Sequence, residues 1–113
     1  MSELIQWRTD WKEALQEAKK SHLPVALEIF MEGCPACGRL ARETHPDPAV
    51  VAVLNKRFIP VRLEARDHLD LAEQYQVTAT PTILLFSSDG EEKHRFDGFQ
   101  TTESYLQELA KGG

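Results

Sequence analysis

The sequence predicts an α/β protein, a central mixed sheet of four to five strands flanked by helices. Three observations carry that expectation. Apolar runs of strand length alternate with amphipathic segments of helical period. The run VALEIFM, from Val25, is apolar almost throughout, as suits a strand covered on both faces. The turn signal SSDG at 87–90 joins two extended runs, so the sheet ends in a hairpin. A chain of 113 residues is expected to form one domain over 1–113.

The elements follow in order. Asp10 caps a first helix, and Glu13 three residues on completes a capping box. Trp11, Ala14, Leu15 and Ala18 give that helix a single apolar face. SHLP ends it, and PVALEIFM is the first strand. The segment after Cys34 reads as a helix as far as Pro46. Asp47 is an N-cap with Pro48 in the first helical position, and Val50, Val53 and Leu54 form the inward stripe. FIPVRLEA is a second strand, LDLAEQYQV a short helix, and PTILLFS a third strand. EEKHRFDGF returns antiparallel. Thr102 is expected to cap the last helix, whose Tyr105, Leu106 and Leu109 face in. Trp7, Trp11, Phe30, Phe58, Phe86, Phe96, Phe99 and Tyr105 read as core.

Composition narrows the function. The net charge of -5 and the scattered basic residues argue against nucleic acid or an anionic membrane as partner. No apolar run approaches the roughly 20 residues of a membrane span. The first residues, MSELIQWRTDW, lack the pattern of a secretory signal, so a cytoplasmic protein is expected as the chain stands. A periplasmic or other extracytoplasmic site is expected if a leader was removed. No glycine-rich phosphate loop is present, so neither flavin nor nicotinamide is expected, and no other cofactor. A monomer is expected.

The chemistry concentrates in EGCPACGRL, which holds the only two cysteines, Cys34 and Cys37. A structural zinc site needs four ligands, and His22, His45, His68 and His94 are dispersed. A structural disulfide across two residues closes a loop too small to gain much from chain entropy. A redox pair suits the context best. Cys34 stands between a buried strand and a helix start, where free N–H groups and the helix dipole favour thiolate over thiol. Its pKa is expected below the free value of about 8.5. Pro35 suits the first helical turn. Cys37, one turn in, can attack a mixed disulfide formed at Cys34.

These stretches, with YQVTATPTILLFSSDGE and FDGF, resemble the thioredoxin superfamily over about residues 23–100. The opening WRTDWKEALQEAKKSHLPV is similar to domains related to the C-terminal domain of thiol-disulfide interchange proteins. The resemblance implies a thioredoxin fold and a thiol–disulfide oxidoreductase acting on protein disulfides, with a redox partner protein supplying or accepting electrons. It also implies a cis peptide before Pro81 and a Thr80 backbone that holds substrate beside the reactive sulfur. Pro81 has a physical reading of its own: it starts a strand and cannot donate to the ladder, which leaves a backbone edge free. Gly33 and Pro35 depart from thioredoxin proper, which has Trp before the first cysteine and Gly-Pro between the two. Gly33 leaves Cys34 open to substrate, and Pro35 removes a backbone donor beside it. Cys-Pro-X-Cys centres also occur in glutaredoxins and in oxidising proteins, so the direction of electron flow stays open. FDGFQTTE supplies no glutathione site of the glutaredoxin type.

Glu28 interrupts the apolar strand six residues before Cys34. The family often carries an acid there, behind the second cysteine, as proton acceptor. Burial would raise its pKa. Pairing with an arginine such as Arg62 is the other reading. A binding module for partner peptides or a soft metal ion at the thiols, helped by Met31, is the alternative to an enzyme.

Overall fold

A computed structural model describes residues 4–113. The expectation about the N-terminal stretch includes residues 1–3, which lie outside the described residues. Helix α1 (Trp11–Ser21) starts at Asp10, whose carboxylate accepts the Glu13 N–H at 2.9 Å. Strand β1 (Val25–Phe30) follows. Helix α2 (Pro35–Glu43) opens at Cys34, and α3 (Pro48–Arg57) opens at Asp47 with Pro48 in its first turn. Strand β2 (Ile59–Glu64), a 3-10 turn (Ala65–Asp67) and α4 (Leu69–Gln74) come next. Strands β3 (Thr82–Phe86) and β4 (Glu92–Asp97) and helix α5 (Thr102–Ala110) complete the chain.

The sheet order is β2-β1-β3-β4. β1 runs parallel to β2 and antiparallel to β3, and β3 runs antiparallel to β4. Arg8 adds a single parallel bridge to Val61 on the outer edge of β2. Because side chains alternate across a strand, β1 feeds two cores. Val25, Leu27 and Ile29 pack with Ala14 and Ala18 of α1 and Leu71 of α4. Ala26 lies on the other face, with Leu40 of α2, Leu54 of α3 and Tyr105 of α5. Glu28 has the parity of Ala26, so the strand aims it into the space under α2 and α5.

Several expectations shift. Thr101, not Thr102, caps α5, its hydroxyl accepting the Ser104 N–H at 3.2 Å. Helix α2 stops at Glu43. β3 starts at Thr82, after the proline that cannot join the ladder. Phe30 and Phe99 are only half-buried, at the edge of the core, where arginines rather than apolar side chains cover their rings. The guanidinium carbon of Arg62 lies 3.7 Å from the Phe30 centroid, and that of Arg39 lies 3.9 Å from Phe99.

Candidate active site: a cysteine pair at a helix start

Strand β1 ends at Phe30, and four residues carry the chain to the start of α2. Gly33 makes the turn with φ +82, a conformation that side chains other than glycine's rarely adopt. A Cβ there would meet nothing within 4 Å. The backbone, rather than crowding, therefore calls for glycine. The Cys34 N–H closes the turn on the Met31 carbonyl at 3.2 Å. The loop is also held from the side. A Glu64 carboxylate oxygen accepts the Glu32 N–H at 2.9 Å, and Arg66 donates both to Glu64 at 2.6 Å and to the Glu32 carbonyl at 3.3 Å. The Arg66 pairing and the backbone donors hold the Glu64 carboxyl down at about 2.

Cys34 is the N-cap of α2, with Pro35 in the first turn, where no N–H is needed. Its sulfur accepts the Cys37 N–H at 3.3 Å and the Thr80 hydroxyl at 3.4 Å. As a thiol it can instead donate to the Thr80 carbonyl at 3.4 Å. Burial alone would raise the Cys34 pKa. The donors from Cys37, Thr80 and the helix backbone outweigh it and bring the pKa below the ordinary value. Cys37 behaves oppositely. It is 2% exposed, and burial together with its neighbour Cys34 pushes its thiol up. Both cysteines are free thiols.

The Thr80–Pro81 peptide bond is cis. The Thr82 hydroxyl pins this turn by donating to the Ala79 carbonyl at 2.6 Å, and the Pro81 carbonyl accepts the Gly98 N–H at 2.9 Å. Thr80 thus reaches Cys34 directly. A cavity of about 410 Å³ opens beside the two sulfurs, with Phe30, Met31, Gly33 and Pro35 among its walls. Thr80 and Pro81 do not line it.

Glu28 needs a correction. It is 0% exposed, but the expected raised pKa is reversed. One carboxylate oxygen accepts His45 Nε2–H at 2.8 Å, and the other accepts Arg62 Nε–H at 2.8 Å. Burial pushes the carboxyl up, but these bonds and the attached charge hold it below its ordinary value. The arginine reading was right in part, and His45 was missed. Cys37 is not among the hydrogen-bond partners of Glu28. His45 is buried under the edges of Trp7 and Tyr105, at ring-centroid distances of 5.2 and 6.1 Å. Burial and the Glu28 charge push the Tyr105 phenol well above its usual range. One sequence signal points to His45: it lies eight residues after Cys37, in register with the inward stripe of a helix read as far as Pro46, although α2 itself ends at Glu43.

A thiol whose pKa is lowered at a helix N-cap, with a second thiol buried one turn on and a Thr-Pro turn against the first sulfur, is an arrangement chemically suited to thiol–disulfide exchange. The chain belongs to the thioredoxin-like family, whose domain profile matches residues 11–113. It is 32% identical over 102 residues to the thiol:disulfide interchange protein DsbD of Escherichia coli K12, covering 86% of this chain and 18% of that protein. The chain thus spans under a fifth of the length of that relative. It superposes on a thioredoxin from Thermus thermophilus with a TM-score of 0.84 at 28% identity, over 97% of this chain and 86% of that one. The C-terminal domain of DsbD from Neisseria meningitidis, in its oxidised form, shares the fold with a TM-score of 0.81. The match is 21% identical and covers 95% of this chain and 99% of that one.

Proposed function

We propose that the chain exchanges electrons with protein disulfides through the Cys34/Cys37 dithiol. The observation that supports this reading most is the opposite bias of the two thiols three residues apart: Cys34 is held toward thiolate and Cys37 toward thiol. Cys34 attacks one sulfur of the substrate disulfide, forming a mixed disulfide and releasing the other sulfur as a thiolate. Cys37 then gives up its proton to solvent or to the departing thiolate and attacks Cys34. A Cys34–Cys37 disulfide forms, and the second substrate sulfur leaves. Two electrons have passed to the substrate, and a partner dithiol restores them.

In this reading Gly33 and Pro35 shape the approach to Cys34, and the Thr80–Pro81 turn aligns the substrate backbone. Glu28 is then a buried anchor for His45 and Arg62, with Cys37 depending on other groups for its proton. Cys37→Ser should accumulate mixed disulfides with disulfide-containing substrate proteins, while Cys34→Ser should accumulate none and should not accelerate the reduction of insulin by dithiothreitol. Equal trapping by both variants would overturn the division of roles.

A further inference from the structure

We propose that Arg42, lying back over Gly38 at the cysteine groove, selects protein disulfides that carry an Asp or Glu beside the reacting cysteine. This inference rests on the oxidoreductase reading above and names the class of substrate for the same site. Five arginines of this chain already hold a carboxylate: Arg8 with Glu17, Arg39 with Glu43, Arg62 with Glu28, Arg66 with Glu64 and Arg95 with Glu92. Arg42 has no hydrogen bond or ion pair among the described residues, yet it lines the groove that contains both sulfurs.

Its position has a local cause. Helical side chains lean toward the N-terminus of their helix, so residue 42 reaches back over residue 38. Residue 38 is glycine, and Arg42 NH1 lies 2.9 Å from where a Cβ would stand. The missing side chain gives the guanidinium its seat over Gly38, the residue that follows Cys37 in the groove wall. The other arginine of the groove, Arg62, is committed to Glu28 and to the Phe30 ring. Glu32 is the one carboxylate lining the groove among the described residues, and Arg66 reaches its backbone carbonyl. Among the described residues, the groove of this acidic protein therefore offers one unclaimed cation.

The chemistry gives that cation a use. A carboxylate next to a substrate cysteine repels the incoming Cys34 thiolate and disfavours the thiolate that must leave. A guanidinium facing that carboxylate offsets both effects and fixes the segment by a paired N–H fork.

The test uses three disulfide peptides of equal length, with Asp, Asn or Lys beside the reacting cysteine, and rates of exchange with the reduced protein. At low salt the wild type should prefer Asp over Asn by about twofold to fivefold, the range of one exposed ion pair, and should disfavour Lys. The preference should shrink at high ionic strength. Arg42→Ala should bring the Asp/Lys ratio close to one, and Arg42→Glu should invert it. Gly38→Ala keeps the charge but displaces the guanidinium, so it should lower the ratio. An unchanged ratio in that variant would contradict the seat on Gly38. Equal Asp and Lys rates in the wild type, or a preference that survives Arg42→Glu, would overturn the proposal. Lack of exchange with all three peptides would overturn the oxidoreductase reading itself, and this inference with it.

Discussion

On its open side the site holds the Cys34 sulfur with two long contacts, the Cys37 N–H at 3.3 Å and the Thr80 hydroxyl at 3.4 Å. On its buried side it holds a carboxylate with two short ones, His45 and Arg62, each at 2.8 Å. The difference follows from solvent. Cys34 is half-buried at a helix start, where water and free N–H groups share the charge. Glu28 is fully buried, and a buried charge persists only when paired and hydrogen-bonded. The open side is thus weakly held, as the proposed exchange chemistry requires. The buried side is strongly held and structural, and it fixes the end of α2 through His45.

The largest break in this comparison should come from the buried side. Glu28→Gln leaves Arg62 and His45 without their anion and should cost on the order of 3 kcal/mol at pH 7. The folded pKa of Glu28 lies below its unfolded value, so its contribution to stability is present above about pH 4.3. That contribution is lost as pH falls from there through the folded pKa. Denaturant unfolding of the wild type should therefore show a falling acid limb that is flatter in Glu28→Gln. A variant as stable as the wild type at pH 7 would break the account of the buried side.

The open side should respond less. Thr80→Val keeps the shape of the side chain but removes one donor to the thiolate. A hydrogen bond of about 1 kcal/mol corresponds to a rise of up to about one pH unit in the midpoint of Cys34 alkylation. Stability should change little. An unmoved midpoint would remove Thr80 from the list of groups that hold the anion.

The smallest effect lies at the edge of the groove. Gly38 has no positive φ, and only the flexible tip of Arg42 stands in the way of a Cβ. Gly38→Ala should therefore stabilise the protein by roughly 0.5–1 kcal/mol through helix propensity, read as a higher urea midpoint. A loss of stability would mean that the Arg42 tip cannot move aside.

Much of the fold was legible because single residues signal it. Asp10 and Asp47 mark helix starts, Pro48 marks a first turn, and SSDG marks the hairpin. The cap of α5 was misplaced by one residue because Thr101 and Thr102 are equally able caps, and only the backbone angles choose between them. The cysteine pair was legible because strand, turn and helix are contiguous in the chain. Glu28 was legible as a buried acid, since it interrupts an apolar run. Its protonation was misread because the decisive partner, His45, lies 17 residues away and meets it only when α2 packs over the sheet. Arg42 could not be singled out from sequence for a related reason. An arginine four residues after a glycine on a helix is ordinary until the groove beside it is seen.

The central claim is that Cys34 is the reactive thiolate and Cys37 the protected thiol. Iodoacetamide alkylation of the reduced protein across pH 5–10, with the modified cysteine identified by peptide mass, tests it most directly. Cys34 should react first, with a midpoint below the free-cysteine value of about 8.5, and Cys37 should stay largely unmodified until pH exceeds that value. Equal rates at the two sulfurs, or earlier modification of Cys37, would contradict the account.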